Sequence, residues 1–476
     1  MQRYPECAAC KPEVGSFDLN KVFAKDNIVP IAVLGSGPAG LSAAIYGARG
    51  NTKTVVIEGD KPGGLLTDTT DVENWPGIPS AMGPAIMEQV KGQAEQFGAV
   101  FLADSVEKVD FSQWPFVLKT EDERTLHALA VIIATGATPR TLGIPGEQEY
   151  WGKGVSTCAV CDARFYKGED VIVIGGGDSA AEEAMQLAPY AKSVTIMVRK
   201  EYMRAAGRMQ DLLKGVKNIS IKYNVEVKEV KGDDTHVTAV KVYNNKTNEI
   251  SDMPLTGVFL AIGHIPNSQL FSKFVKTDPN GYIELEGRSQ KTSIPGVFAA
   301  GDVEDHVYRQ AGVASGSGIK AALDAFNFLM DLGYNAAFEK KLQEQGKLFT
   351  VKKKKSENVV TSLNSISAFD QAIAQDKPVV VDFWAEFCPS CVQMIPVFEE
   401  VAAEFKDAMH FYKVDLGEKA LEPLMRTYGI EAIPLLLIFK SGKVVARQEG
   451  AMSRPALREF LQAQKDPSLA KEIVCW

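Results

Sequence analysis

The sequence has few cysteines for its length and no long apolar run. Seven cysteines among 476 residues are too few for a disulfide framework, and six of them form three Cys-x-x-Cys pairs. No apolar stretch reaches the roughly 18 residues that a membrane-spanning helix needs, and Met1 to Cys10 carries no apolar secretory run. We therefore expect a cytoplasmic protein without a membrane partner, whose paired cysteines serve redox chemistry or bind metal.

The chain also lacks the excess of positive charge that is typical of nucleic-acid-binding proteins. Its 52 lysines and arginines against 60 aspartates and glutamates give a net charge of −8, which argues against general affinity for nucleic acid. Hydrophobic content of 45% and charged content of 24% are typical of a globular protein. The length indicates about three domains.

One cysteine pair lies between two glycine-rich loops, in the segment Cys158-Ala159-Val160-Cys161-Asp162. Two thiols at this spacing can close and reopen a small disulfide ring, and the adjacent acid can exchange the proton that the reaction requires. Alone, the pair would fit half of a zinc site about as well. Its position between two candidate nucleotide sites favours electron transfer, and we predict no metal site.

The first glycine loop has the surroundings of a dinucleotide-binding unit. The apolar run Ile28–Leu34 predicts a strand, Leu41–Ala48 predicts a helix, and Glu58 ends the next predicted strand. Glycines allow the backbone to approach a pyrophosphate at the helix N-terminus, and an acid at this spacing can accept a ribose hydroxyl. The predicted loop residues are Gly35, Ser36, Gly37, Pro38, Ala39 and Gly40.

A second loop repeats the pattern as Gly-x-Gly-x-x-Ala after the apolar run Val171–Ile174. No acid follows its next strand, where Arg199, Lys200 and Arg204 stand instead. Cations there suit the 2′-phosphate of NADP, although a solvated basic edge is the alternative. The predicted loop residues are Gly175, Gly177, Asp178, Ser179 and Ala180.

Other turns at strand ends are candidates for wrapping a large cofactor. A glycine there admits close backbone approach, and Asp302 can hydrogen-bond a sugar-like chain. The further candidates are Gly63, Gly64, Leu65, Leu66, Asn74, Ala134, Thr135, Gly136, Ile262, Gly263 and Gly301.

The composition changes after about residue 332, where 333–357 is predicted to be a solvated linker. As a flexible coil it would span about 25–30 Å and give a millimolar effective concentration. A small α/β unit follows, with Cys388-Pro389-Ser390-Cys391 at a predicted strand-to-helix junction. A helix N-terminus lowers the pKa of a thiol.

These residues resemble two known families. Residues 28–332 are similar to low-molecular-weight thioredoxin reductases through the loops above, Glu73-Asn74-Trp75-Pro76-Gly77 and Asp305-His306-Val307-Tyr308-Arg309-Gln310-Ala311. Residues 358–466 resemble thioredoxin, through Asp382-Phe383-Trp384-Ala385-Glu386 and Ala432-Ile433-Pro434. The whole chain therefore resembles a natural reductase–thioredoxin fusion.

The resemblance implies an α/β protein with two Rossmann-like, three-layer domains, one inserted in the other, and a thioredoxin fold. The implied domains are an extension (1–26), an FAD-binding domain (27–142 and 268–332), an NADPH-binding domain (143–267), the linker (333–357) and thioredoxin (358–476). It also implies a homodimer. The inserted domain would rotate about crossovers near 140–144 and 266–270, because nicotinamide and dithiol both need the flavin at contact distance.

The resemblance further assigns roles within the candidate sites. Cys161 would lie next to the flavin, Cys158 would exchange with the substrate disulfide, and Asp162 would be the acid. Cys388 would attack the client and Cys391 would resolve the mixed disulfide. The remaining implied residues are Asp382 as the buried carboxylate serving Cys391, Pro434 as the cis-proline of the docking groove, and Arg309, Gln310 and Ala311 along the flavin ring.

Several positions depart from the family patterns. Ala163 replaces a usual Gly, Leu65 a usual Gln, Val198 a usual His, Phe387 a usual Trp and Leu435 a usual Thr. In the thioredoxin part, Phe387, Leu435 and the Pro-Ser inside the second dithiol change the surroundings of the thiols, and they predict a pair more oxidising than an ordinary thioredoxin's.

The predicted activity is NADPH-dependent thioredoxin-disulfide reduction, with electrons passing from NADPH to FAD, Cys158/Cys161, Cys388/Cys391 and client proteins. One alternative is a dedicated electron donor to a peroxidase, and another is a flavin-containing redox sensor or binding module. Cys7 and Cys10 are an extra redox pair, half of a shared zinc site or an exposed pair without a role. Cys475 is expected to be a bystander.

Overall fold

The computed structural model describes residues 17–69, 72–351, 359–385, 388–430, 432–452 and 454–465. Cys7, Cys10 and Cys475, together with Glu386 and Phe387, lie outside the described residues. The contacts divide the chain into two compact units. The first comprises Met1–Asp71, Ser80–Gly136 and Ser268–Trp476, and the second comprises Val72–Pro79 and Ala137–Asn267.

Helices and strands alternate along most of the chain. The α-helices are α1 (Pro38–Arg49), α2 (Gly83–Gln96), α3 (Ala159–Asp162), α4 (Asp178–Leu187), α5 (Gly207–Lys214), α6 (Ala311–Asp331), α7 (Ala336–Glu344), α8 (Ile366–Ile373), α9 (Pro389–Phe405), α10 (Pro423–Tyr428) and α11 (Arg454–Lys465). The 3-10 helices are Leu19–Ala24, Gly64–Asp68 and Ala163–Tyr166.

The strands are β1 (Ile28–Leu34), β2 (Thr54–Ile57), β3 (Val100–Leu102), β4 (Val106–Asp110), β5 (Phe116–Thr120), β6 (Thr125–Ile133), β7 (Ala137–Pro139), β8 (Val155–Ser156), β9 (Asp170–Ile174), β10 (Ser193–Val198), β11 (Ile219–Tyr223), β12 (Val225–Gly232), β13 (Val237–Asn244), β14 (Ile250–Pro254), β15 (Gly257–Leu260), β16 (His264–Pro266), β17 (Val297–Ala299), β18 (Val360–Ser362), β19 (Val379–Trp384), β20 (His410–Asp415), β21 (Leu435–Lys440) and β22 (Lys443–Glu449).

The first sheet runs in the order β3-β2-β1-β6-β5-β4, and β17 also pairs with β6. Every residue of β1 is buried, as expected for a central strand of a parallel sheet with both faces covered. The parallel register places Leu34, Ile57, Ile133 and Ala299 near one edge. That edge, at the carboxyl ends of parallel strands, is where such sheets bind ligands.

The second unit has its own parallel sheet, in the order β11-β10-β9-β15-β8. The antiparallel strands β12, β13 and β14 form a separate three-stranded sheet. Helices α3 and α4 lie against each other in this unit, which brings a cysteine pair close to the helix that follows the second glycine loop.

The C-terminal part contains a five-stranded sheet in the order β18-β20-β19-β21-β22. Alternate residues of β19 pack on opposite faces: Val379 and Val381 join the cluster of α8 and α10, and Val380 joins that of α9 and α11. Arg458 of α11 pairs with Glu404 and also with Asp122, at the turn between β5 and β6, with Nη1 2.7 Å from Oδ1. The predicted α/β fold class is confirmed.

Two stretches predicted to be loosely structured or solvated are ordered where the structure describes them. Within 1–26, Leu19–Ala24 forms a 3-10 helix with Val22 buried. Within 333–357, Leu342 of α7 is fully buried in the hydrophobic core that contains β1. The backbone after α7 pairs with β1, because Ile28 N donates to Lys347 O and Phe349 N donates to Ile28 O. The flexible-coil interpretation is therefore wrong for residues 336–349. Among the described residues, no helix is long and apolar enough to cross a membrane.

Candidate active site

Two positions of the first glycine loop are too crowded for any residue other than glycine. A Cβ on Gly35, whose φ is +107°, would lie 2.4 Å from Ala134 O, and one on Gly40 would lie 1.9 Å from Gly35 O. Gly37 caps α1, with Pro38 in its first turn. The free N–H groups at this helix start are the type that bind a pyrophosphate. The loop therefore fits a dinucleotide.

Ser36 ties this loop to the next one along the chain. Its hydroxyl donates to Glu58 O at 3.0 Å and accepts from Gly63 N at 3.1 Å. Gly63 and Gly64 both have positive φ, and a Cβ on Gly64 would lie 3.0 Å from Gly37 Cα. The two loops thus form one cradle, which continues into the 3-10 helix that contains Leu65 and Leu66.

Glu58 lies at the end of β2 with 5% of its surface exposed. Its Oε1 accepts from Lys91 Nζ at 2.6 Å. Lys91 is not predictable from the sequence, because its helix α2 carries no local motif that points to a site. The ion pair fixes the carboxylate at the sheet edge, and its role at a ribose stays a prediction.

A third segment approaches the same edge from much later in the chain. Gly301 follows β17, donates its N–H to Ser317 Oγ at 2.8 Å, and would place a Cβ 2.9 Å from Ala39 Cβ. Burial, supported by nearby Asp305, raises the pKa of Asp302 to about 6, while Arg309 opposes this shift. Asp302 is thus a partly buried carboxyl directly after Gly301, at the same sheet edge as the first glycine loop.

One carboxylate shapes the loop that leads into α6. Asp305 accepts the N–H groups of Val307 and Tyr308 on Oδ1 and that of Arg309 on Oδ2, at 2.8 to 3.0 Å. Arg309 has φ +47°, and Gln310 caps α6, which begins at Ala311. The structure therefore brings all three of these predicted residues to a helix start in the first unit.

The remaining cofactor candidates divide between the two units. Ala134, Thr135 and Gly136 follow β6 in the first unit, and Gly136 has φ +69°. Asn74 belongs to the stretch 72–79 that packs with the second unit, which the sequence boundaries had placed in the FAD-binding domain. Ile262 and Gly263 follow β15 in the second unit, where Gly263 O accepts from Arg140 N at 3.0 Å.

The second glycine loop has the same close approach. A Cβ on Gly175 would lie 2.5 Å from Ala261 O, and Gly177 caps α4, whose first turn contains Asp178, Ser179 and Ala180. The chain after β10 folds back onto this loop, because Arg204 N and Ala205 N both donate to Gly176 O. Asp178 accepts from Ala206 N at 2.7 Å. Exposed Arg204 is thereby anchored at the loop through its backbone.

This anchoring gives a test of nucleotide preference. Arg204→Ala should raise the KM for NADPH by roughly 10- to 100-fold, because one charge-assisted contact to a phosphate is worth about 1.5–3 kcal/mol. The KM for NADH should change little, since NADH lacks the 2′-phosphate. Steady-state kinetics with both nucleotides measures the effect, and Lys246→Ala, in an exposed turn, is the control. An equal rise in both KM values would contradict the assignment.

The first dithiol is closed as a disulfide, with 5.3 Å between the Cα atoms of Cys158 and Cys161. Cys158 caps α3 and its sulfur accepts from Cys161 N at 3.2 Å. Ser156, which the sequence analysis missed, donates its hydroxyl to Asp162 Oδ2 at 2.5 Å and accepts from Cys158 N at 3.1 Å. The acid and the first cysteine are therefore held by one side chain.

Burial raises the pKa of Asp162, and the hydrogen bond from Ser156 opposes the shift. The carboxyl therefore keeps its proton to a higher pH than an exposed aspartate. A group that must give a proton to a thiolate leaving near neutral pH needs this property.

The second dithiol repeats the geometry at the start of a longer helix. Cys388 and Cys391 form a disulfide with Cα atoms 5.3 Å apart, Cys388 caps α9, and its sulfur accepts from Cys391 N at 3.2 Å. Cys388 Sγ lies 3.6 Å from Ile433 O. The peptide bond from Ile433 to Pro434 is cis.

Asp382 is fully buried in β19. Neither of its carboxylate oxygens has a hydrogen-bond partner among the described residues. Burial raises its pKa to about 7, with a small opposing effect from Lys413. A buried carboxyl that titrates near neutrality can exchange a proton with a neighbouring thiol.

The comparisons with known proteins agree with this arrangement. Residues 29–318 match the pyridine nucleotide-disulphide oxidoreductase family, and residues 359–463 match the thioredoxin family. A bifunctional thioredoxin reductase/thioredoxin of Mycobacterium leprae is 39% identical over 91% of this chain and 96% of its own length. NADPH-dependent thioredoxin reductase 3 of Arabidopsis thaliana is 36% identical over 91% of this chain and 84% of its own length.

Among solved structures, thioredoxin reductase from Giardia duodenalis is 44% identical, covers 64% of this chain and 99% of its own, and superposes with a TM-score of 0.62. The two glycine loops, the reductase dithiol and the thioredoxin dithiol all fall within the matched ranges. The chain therefore belongs to the pyridine nucleotide-disulphide oxidoreductase family, as a thioredoxin reductase continued by a thioredoxin domain.

Proposed function

We propose that this protein is an NADPH-dependent thioredoxin-disulfide reductase that carries its own electron acceptor. Electrons pass from NADPH through FAD to Cys158–Cys161, then to Cys388–Cys391, and finally to disulfides of client proteins. The observation that carries the proposal is the pair of matched dithiols. Each forms a disulfide at a helix start, one inside the nucleotide-binding unit and one in the thioredoxin fold.

The two glycine cradles fit the two cofactors that this chemistry needs. In the first unit, the residues that would hold FAD are the loop Gly35–Gly40, Gly63–Leu66, Gly301 and Asp302, and in the second unit those for NADPH are Gly175–Ala180 and Arg204. When bound, NADPH supplies a hydride and FAD passes the two electrons to a disulfide. The protein would hold both cofactors close to the Cys158–Cys161 dithiol, and its side chains would give and take the protons of the two thiols.

In the exchange between the two dithiols, each disulfide bond that breaks is matched by one that forms, and no outside oxidant or reductant is needed. The Cys158 thiolate attacks Cys388 Sγ, so that a Cys158–Cys388 bond forms and the Cys388–Cys391 bond breaks. Cys161 then attacks Cys158, which restores the first disulfide and releases reduced Cys388 and Cys391. Asp162 holds a proton beside the first pair, and Asp382 would serve Cys391 in the second.

Insulin reduction by the whole FAD-loaded chain tests the proposal. With NADPH we expect insulin disulfides to be reduced, and a Cys388→Ser/Cys391→Ser variant should lose this activity while still oxidising NADPH in the presence of an added small disulfide. Turnover only when a peroxidase and peroxide are supplied would instead support a dedicated peroxidase donor. No turnover under either condition would refute the reductase and favour a redox sensor.

Three finer statements belong to the same proposal. The clients are protein disulfides, with peroxidases as one class, and the protein acts in the cytoplasm as a homodimer. The resemblance to thioredoxin reductases supports the dimer and the rotation of the inserted domain, and the use of six cysteines as pairs rather than as a framework supports a reducing compartment.

A further inference from the structure

The N–H group next to the first reductase thiol is held by a glutamate from another helix. Ala159 N donates to Glu183 Oε2 at 2.7 Å, and Glu183 lies on α4. Because Ala159 N is four bonds from Cys158 Sγ, this carboxylate lies within about 7 Å of the sulfur. A negative charge therefore stands beside the atom that becomes a thiolate when the disulfide opens.

The two dithiols share one sulfur contact but differ in the carboxylate and in the helix length beside the first cysteine. In both, the N–H of the second cysteine donates to the first sulfur at 3.2 Å. The N–H group that follows the first sulfur donates to the Glu183 carboxylate, whereas the first turn of α9 contains no acid. Moreover, α9 has 17 residues, long enough for its N-terminus to stabilise a Cys388 thiolate. The surroundings thus favour a thiolate at Cys388 over one at Cys158.

We propose that Glu183 is a positioning residue that keeps the Cys158–Cys161 dithiol more reducing than Cys388–Cys391. A disulfide is easier to reduce when its thiolate is stabilised, and a carboxylate beside Cys158 has the opposite effect. Electron transfer from the first dithiol to the second is therefore favourable in free energy, as the Cys158–Cys161 bond forms and the Cys388–Cys391 bond breaks. This inference rests on the proposed function, because it concerns the direction of the same exchange.

The test is a redox titration of the FAD-loaded full chain in a Cys388→Ser/Cys391→Ser background. The protein is equilibrated with dithiothreitol buffers, and alkylation with mass spectrometry measures the reduced fraction of the peptide containing Cys158 and Cys161. Glu183→Gln keeps an acceptor oxygen for Ala159 N and removes the charge. We expect its equilibrium to shift about fivefold towards the dithiol, which is about 20 mV at 29.6 mV per tenfold.

Two matched variants separate this effect from a structural one. Glu182→Gln removes a charge from the neighbouring, exposed position of α4 and should leave the equilibrium unchanged. Glu183→Asp retains the charge and should stay near the parent value, and the Cys158 alkylation profile should move to lower pH only in Glu183→Gln. An unchanged Glu183→Gln equilibrium, or an equal shift in Glu182→Gln, would overturn the inference. Because the titration needs no turnover, it is independent of the insulin assay.

Discussion

Cys161→Ser should abolish NADPH-dependent reduction of the Cys388–Cys391 disulfide, with a loss of roughly 10³-fold or more. Serine cannot form the disulfide that accepts electrons from the flavin, and Cys158 alone cannot store two of them. The measurement is the rate at which Cys388 and Cys391 become accessible to a maleimide after NADPH is mixed with the FAD-loaded chain.

Cys475→Ser provides the control, because it removes one thiol from a cysteine expected to be a bystander. Its rate should equal that of the parent chain. If Cys161→Ser reduced the thioredoxin disulfide at the parent rate, electrons would have to bypass the first dithiol. The proposed order of transfer would then be wrong.

Asp382→Asn should stabilise the thioredoxin domain at alkaline pH. The folded-state pKa is raised to about 7 by burial, so the charged form is disfavoured by folding. Stability is therefore lost as the pH rises from about 4 through 7, and the variant should recover up to about 4 kcal/mol at pH 8. Hydrogen exchange of peptides from β19 and β21 measures the local free energy of opening.

The same substitution should slow client reduction near pH 7, because asparagine cannot take a proton from Cys391. Asp370→Asn, at an exposed position of α8, is the matched control and should change neither quantity. A stability difference between parent and Asp382→Asn that does not vary with pH would contradict the role given to burial. A gain in stability at pH 4 as large as that at pH 8 would have the same meaning.

The parts of the site that the sequence predicts are those coded by neighbouring residues. Both glycine loops stand at strand-to-helix turns, because a short motif contains the glycines, the strand and the helix together. Both dithiols likewise form rings between cysteines three positions apart. Asp382 was placed only through resemblance, and its burial follows from its position in the central strand β19.

Two of the missed contacts join residues 33 and 24 positions apart, and the third joins residues six positions apart on separate elements. Lys91 reaches Glu58 from α2, Ser156 reaches Asp162 from β8, and Glu183 reaches Ala159 from α4. Neither a helical or strand periodicity nor a short sequence motif predicts such pairings. Helix α7 was missed for another reason: the polar residues 343–346 and the lysines 352–355 indicated a linker, although Phe338 and Leu342 recur at helical spacing and join the core around β1.

The pairing of β17 with β6 sets an order for folding during synthesis. The FAD-binding sheet lacks β17, and its glycine cradle lacks Gly301 and α6, until the ribosome has passed the inserted stretch Ala137–Asn267. At 5–20 residues per second, this delay is roughly 7–26 seconds. The inserted stretch Ala137–Asn267 is complete before β17 is synthesised, so the part of β6 that pairs with β17 stays unpaired during this interval. The site that would hold FAD is therefore completed only after the inserted nucleotide-binding stretch has been synthesised.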